Sequence, residues 1–145
     1  MDALTFIVAG MAPQPQGSKR HLGKGVMVES CKNVKPWRYL VQQAAVATGH
    51  PTITAGVSVS VVFLFARPKG HYRSGKNAHM LRDAAPRWHT VKPDGSKLLR
   101  STEDALVDAG LLRDDSLICC ATFQKRYCVG QERPGALITL IPLQP

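Results

Sequence analysis

The sequence predicts an α/β (α+β) fold, in which a mixed β-sheet carries two main helices within a single domain spanning residues 1–145. Three observations lead to this prediction. A chain of 145 residues is long enough to bury one hydrophobic core and has an ordinary length for one domain. Near the middle of the chain apolar residues alternate with polar ones, which is typical of a strand. On either side they recur every three or four residues, which is typical of helices packed on a sheet.

The first third of the chain contains two predicted strands and a helix. Leu4–Ala9 is a short apolar run rich in strand formers, and residues 26–28 are a second, shorter candidate. The loop between them is rich in glycine and proline. A helix then covers residues 35–47, because proline is tolerated in its first turn and Gly49 and Pro51 follow its end. We interpret its Trp37 as a core residue rather than a platform for stacking bases.

Residues 52–67 have the strongest strand pattern of the chain. The apolar side chains on one face are Val57, Val59, Val61, Phe63 and Phe65, and the other face also becomes apolar toward the end of the run. We therefore expect this strand either at the centre of the sheet or covered on its second face by a partner subunit. Two more strands are predicted at residues 117–127 and 136–143, and the polar turn between them predicts a hairpin.

A second helix is predicted between Asp94 and Gly110. Its core-facing positions are Leu98, Thr102, Ala105, Leu106 and Ala109, and its outer positions are Lys97, Arg100, Ser101, Asp104 and Asp108. Either Asp94 or Ser96 caps its start, and Gly110 ends it. Asp114 and Asp115 lie beyond the far end of this helix, which is about 20 Å long. They can approach Asp94 only if the chain folds back along the helix.

The charge distribution favours a nucleic acid as partner. The chain has 19 Lys and Arg against 10 Asp and Glu, a net charge of +9, and six of the ten acidic residues fall between positions 92 and 116. Carboxylates gathered in a basic protein suit Mg²⁺ held beside phosphate. A capped surface helix with ordinary charge decoration explains the same pattern. A membrane surface is the second candidate partner, but no basic amphipathic helix is visible.

Composition argues against several other classes. No apolar run is long enough to span a bilayer, and the N-terminus lacks the basic segment of a signal peptide, so we expect a cytoplasmic protein. The four cysteines contain no C-x₂-C pair, and the five histidines lack the spacing of zinc ligands. Free thiols are the better interpretation of these cysteines.

Two basic stretches are candidates for contact with DNA. Residues 14–20 contain Pro15 and Gly17, which suit a flexible loop, and end in Lys19 and Arg20. Residues 68–91 form a long irregular loop in which basic residues, among them Lys69, Arg73 and Lys76, interleave with Tyr72 and Trp88. Lys and Arg neutralise phosphates, and aromatic rings stack on opened bases. The alternative for both stretches is a solvated loop without such a role.

The stretch from Lys92 to Ser116 contains four short motifs in order: KPD, KLxR, DAL and LxDDS. Their order and spacing resemble the RusA-type Holliday junction resolvases, especially those carried by phages, and the PQGSKR loop resembles the same family. The resemblance implies a homodimeric, metal-dependent endonuclease that resolves four-way DNA junctions by paired symmetric nicks. It also implies a bacterial or phage-infected cell as the place of action.

The resemblance further implies roles for individual residues. Asp94 and Asp115 would hold Mg²⁺, or alternatively Mn²⁺, with Asp114 alongside. Arg100 falls where the family has a basic residue on the scissile phosphate. The catalytic residues implied are therefore Asp94, Asp115 and Arg100. Together with the basic stretches, this predicts as DNA-binding residues Lys19, Arg20, Lys69, Arg73, Lys76, Lys97 and Arg100.

One position departs from the family pattern. Ser96 stands where the family has a second aspartate, and a hydroxyl is a weaker, neutral ligand. Glu103 and Asp104 lie about 10 Å or more farther along the helix axis, so neither simply replaces the missing carboxylate. The alternative to an active resolvase is thus a catalytically weakened or inactive protein that binds junctions or other branched DNA. A general metal-dependent nuclease acting on branched or flapped DNA is a third alternative.

Overall fold

The computed structural model describes residues 1–17, 19–21, 23, 27–29 and 33–145, with the backbone alone for 19–21 and 27–29. The strands are β1 (Leu4–Ala9), β2 (Lys19–His21), β3 (Met27–Glu29), β4 (Val57–Phe65), β5 (Ile118–Tyr127) and β6 (Gly135–Pro142). The helices are α1 (Val34–Ala47) and α2 (Gly95–Asp108). The predicted mixed sheet with two main helices is confirmed. None of the described helices is long and apolar enough to cross a membrane.

The main sheet has the strand order β1-β6-β4-β5, and β2 pairs with β3 in a separate two-stranded sheet. β4 is antiparallel to β6 and parallel to β5. The predicted hairpin of the last two strands is therefore wrong, because β4 lies between them. A parallel pair needs a long crossover, and α2 supplies it between β4 and β5. Of the two positions expected for the apolar strand, β4 takes the central one.

The core lies between one face of this sheet and the two helices. Its fully buried side chains include Trp37, Val41, Val59, Val61 and Leu106. The Trp37 indole N–H donates to the Thr102 hydroxyl at 3.3 Å, which ties α1 to α2. Trp37 is thus a core residue, as predicted.

The chain folds back along α2. This return is the condition under which Asp114 and Asp115 can approach Asp94. Gly110, with φ of 75°, ends the helix as predicted. The amides of Leu111 and Leu112 then bond to the Leu106 carbonyl, and the chain continues toward β5. At the other end of α2, Gly95 is buried under the ring of Phe123, a residue of β5. A Cβ atom at position 95 would lie 2.0 Å from Phe123 Cε2. β5 therefore runs back along the helix.

One outer position of α2 differs from the prediction. Ser101 is fully buried, because residues 14–16 pack over it. Its hydroxyl lies 2.7 Å from the Gln14 carbonyl oxygen, and the Gln16 amide donates to the Lys97 carbonyl at 3.0 Å. The sequence pattern placed Ser101 among the charged residues because serine suits either environment. This contact attaches the stretch before Lys19 to the acidic helix.

Residues 68–91 contain two short 3₁₀ turns, Lys69–His71 and Gly75–Asn77, and otherwise irregular backbone, in agreement with the predicted loop. Backbone bonds fold the first part on itself: the Arg73 amide donates to Met80 and the Arg82 amide to His71. The last part lies antiparallel against the end of β5. The loop is thus attached to the sheet close to the start of α2.

Candidate active site and DNA interface

Three of the predicted acidic residues lie just before and just after α2 in the chain. Asp94 directly precedes α2, and its side chain makes no capping hydrogen bond. Asp114 and Asp115 begin the turn that leads into β5. All three are exposed. Their carboxylates are therefore open to a ligand from solvent.

Asp115 is close enough to Glu103 and Asp104, two carboxylates of α2, for its charge to act on both. Burial raises the pKa of Glu103, and the charges of Asp104 and Asp115 raise it further. Burial is also the main cause of the raised pKa of Asp104, to which Asp115 contributes. Glu103 is eight residues beyond Gly95, or roughly 12 Å along the helix axis. Asp94, Glu103, Asp104 and Asp115 thus form a carboxylate stripe along α2.

Glu103 and Asp104 were not among the predicted site residues. The signal for them was present in the sequence, since positions 96, 100, 103 and 104 share one face of a helix. What sequence reasoning lacked was the position of Asp115 relative to that face.

Asp114 has a structural role in the turn. One of its carboxylate oxygens accepts the Ser116 amide at 2.8 Å, and hydrogen bonding to Ser116 lowers the pKa of Asp114. This bond shapes the turn that presents Asp115.

Carboxylate oxygens are the donor type that Mg²⁺ prefers. However, no three His, Cys, Asp or Glu side chains converge around one point within the described ranges. The donor chemistry fits Mg²⁺, and a bound ion would keep water at several of its coordination positions.

The predicted DNA-binding residues fall into three groups. Lys97 and Arg100 are exposed on α2, one turn and two turns beyond Asp94. Lys69 and Arg73 line an open groove of about 610 Å³ together with Tyr72 and Arg82, and Lys76 is exposed in the same loop. The side chains of Lys19 and Arg20 lie outside the described residues. The first two groups present positive charge on the α2 surface and in the loop before it.

A further basic cluster was missed from the sequence. Arg67, Arg87 and Arg126 line an open pocket of about 290 Å³. Glu132 pairs with both terminal nitrogens of Arg126, at 2.6 and 2.7 Å, and this pairing lowers the pKa of Glu132 to about 2. Three arginines against one carboxylate leave the pocket with a charge of about +2. Because positions 67, 87 and 126 are far apart in the chain, the sequence did not indicate that these arginines meet.

A basic α/β domain with a carboxylate stripe beside arginines defines a class of protein suited to act on nucleic acid phosphates. The family model described as Endodeoxyribonuclease RusA matches residues 10–141, which is nearly the whole chain. The chain therefore belongs to the RusA family, whose members are endodeoxyribonucleases that resolve Holliday junctions. No individual curated protein matches it.

Proposed function

We propose that this chain is a metal-dependent endodeoxyribonuclease that resolves four-way DNA junctions by paired symmetric nicks. The observation that carries the proposal is the family match over residues 10–141, which includes Asp94, Arg100 and Asp115. The arrangement of α2 and β5 supports it, because both carboxylates are exposed along one helix that also carries Arg100. Cleavage of a phosphodiester needs this combination of oxygen ligands and phosphate-binding cations.

In this proposal Asp94 and Asp115 would hold Mg²⁺, or alternatively Mn²⁺, with Asp114 alongside. When bound there, the ion would supply an activated water and would neutralise charge that develops on the phosphorus oxygens. Arg100 binds the scissile phosphate through two N–H groups and remains protonated at neutral pH, so it acts as a positioning charge and not as a proton donor. Lys97 adds a second positive charge next to the DNA backbone.

The direct test compares a four-way junction, a continuous duplex and a flap, each with and without Mg²⁺. We expect cleavage of the junction alone, at two symmetric positions and only with metal. Equal cutting of flap and junction would indicate a general nuclease for branched DNA. Any cutting in excess EDTA contradicts the metal requirement.

A second candidate function is junction binding with weak or no cleavage. The observation that favours it is Ser96, an exposed hydroxyl where the family has a carboxylate, together with the lack of a three-ligand group among the described residues. Selective binding of the junction without product in Mg²⁺ or Mn²⁺ would favour this candidate.

We further propose that the protein acts as a homodimer, since two symmetric strands must be cut. Both described helices pack on the same face of the main sheet. On the other face Ile7 lies opposite Leu137, which lies opposite Val62, and the next row is Thr5, Thr139 and Ser60. These two rows carry no charge, and Ile7 is 69% exposed. An uncharged sheet face of this kind suits a second copy of the chain.

The double substitution Ile7→Lys and Val62→Lys is expected to convert a dimer into a monomer, because it places buried charges at a self-complementary interface. Light scattering at micromolar concentration measures the mass. Val46→Lys is the control, since Val46 is also exposed but lies on α1. A wild-type protein that is strictly monomeric would refute the dimer, and a double variant that remains dimeric would refute this interface.

DNA affinity is expected to persist in EDTA and to fall steeply with salt. Replacing Lys69, Arg73 and Lys76 by alanine should weaken junction binding and reduce the slope of log K against log salt by about 2 to 3, since each phosphate contact contributes about 0.9. Arg73 also bonds to Leu81 and Asp83 within the loop. The Lys69→Ala and Lys76→Ala double variant therefore isolates the charge effect, and Lys35→Ala on α1 is the control. Unchanged affinity in the triple variant would rule out the loop as a DNA contact.

A further inference from the structure

The backbone on both sides of Trp88 is hydrogen-bonded to the end of β5. The Tyr127 amide donates to the Arg87 carbonyl at 2.9 Å, and the His89 amide donates to the Lys125 carbonyl at 3.0 Å. Successive side chains of such an extended segment point to opposite sides. His89 accordingly points inward and stacks on Phe65, with ring centroids 3.7 Å apart. Trp88 points outward and is 48% exposed.

The surroundings of this indole ring suit a flat group attached to an anion. The Arg87 guanidinium lies 5.1 Å from the ring centroid, as a cation on one ring face, and about half of the indole surface is exposed to a second planar group. Arg87 also lines the arginine pocket together with Arg67 and Arg126. A nucleic acid base with its phosphate has this combination of a flat ring and negative charge.

The distance to the acidic site is short. Trp88 lies opposite Arg126, three residues along β5 from Phe123, whose ring packs on Gly95 beside Asp94. Three strand residues span about 10 Å, which is about three nucleotide steps along one strand of B-DNA. A base bound to Trp88 would therefore belong to the stretch of strand next to the scissile phosphate.

We propose that Trp88 stacks on a base exposed at the branch point of a DNA junction, while Arg87 and Arg67 bind the adjoining phosphate. Bases inside a continuous duplex are covered by their neighbours, whereas a branch point can present a base face. Trp88 thus favours branched over continuous DNA. This inference rests on the junction-binding function proposed above and adds a residue that selects the substrate without taking part in hydrolysis.

Intrinsic fluorescence in EDTA provides the test. The chain has two tryptophans, and Trp37 is fully buried, so a change on DNA binding reports Trp88. We expect quenching by a four-way junction and not by a duplex built from the same arm sequences. Trp88→Phe should remove the quenching and keep most of the junction affinity, since phenylalanine still stacks. Trp88→Ala should lower junction affinity about 5- to 150-fold, the range of one base–aromatic stack, and leave duplex affinity unchanged.

Tyr39→Ala is the matched control, because Tyr39 is an exposed aromatic residue on α1. Equal quenching by the duplex overturns the inference, as does unchanged junction affinity in Trp88→Ala. If Trp88→Ala instead changes the oligomeric mass and keeps the junction preference, the ring belongs to a subunit contact and the inference is also overturned. Junction-specific quenching in a protein that cuts no DNA with Mg²⁺ supports the inference and refutes the nuclease proposal.

Discussion

Asp115→Asn is expected to abolish junction cleavage while leaving junction binding intact or tighter. Asparagine keeps the shape of the side chain and removes its charge, so a metal ion loses one of its two proposed carboxylates. Metal ions supply several kcal/mol of transition-state stabilisation, and each 1.36 kcal/mol corresponds to a factor of ten, so the loss should be roughly 10³-fold or more. Binding should not suffer, because basic residues supply the affinity and one negative charge is removed near DNA.

Single-turnover cleavage of a four-way junction measures the first effect, and gel-shift titration in EDTA measures the second. Asp115 is exposed at the start of its turn, so the substitution leaves the core unchanged. Asp2→Asn removes the same charge just before β1, at the opposite edge of the sheet from β5, and should have no effect. A variant at position 115 that still cuts within tenfold of the wild type would place the site elsewhere.

Ser96→Asp is expected to strengthen metal binding and to raise junction cleavage by about tenfold or more. Ser96 is exposed in the first turn of α2, so a carboxylate can be introduced there without burial. An acidic residue near a helix N-terminus is also favoured by the helix dipole, by about 0.3–1 kcal/mol. The third carboxylate adds charge for a hard cation where the site has only a hydroxyl.

Ser96→Asn separates charge from shape, since asparagine has the size of aspartate and no charge. Calorimetric titration with Mn²⁺ and cleavage in a Mg²⁺ series should rank Ser96→Asp above wild type and place Ser96→Asn near wild type. If asparagine raises cleavage as much as aspartate does, charge is not the missing factor. If Ser96→Asp cuts no better than wild type while Asp115→Asn still cuts, the proposed metal site is in the wrong place.

The sequence pattern located the main elements because burial imposes a period on a chain. Period-two alternation marked β4, and apolar stripes marked α1 and α2 close to their observed ends. The pattern failed where the result depended on which elements lie side by side in space, because local periodicity carries no information on these contacts. The expected hairpin of β5 and β6 is absent because β4 is inserted between them. Ser101 was misplaced because a small hydroxyl fits either side of a helix, and the docking of residues 14–16 decided its burial.

By itself, the sequence determined the kind of chemistry: carboxylates and arginines spaced as in RusA-type nucleases, in a strongly basic chain. The tertiary structure alone decided which of these groups meet. It placed Asp115 close to Glu103 and Asp104, it brought Arg67, Arg87 and Arg126 together in one pocket, and it turned Trp88 outward. The physical reason is the return of β5 along α2 and the pairing of residues 87–89 with its end. Such contacts join residues far apart in the chain, and local periodicity cannot specify them.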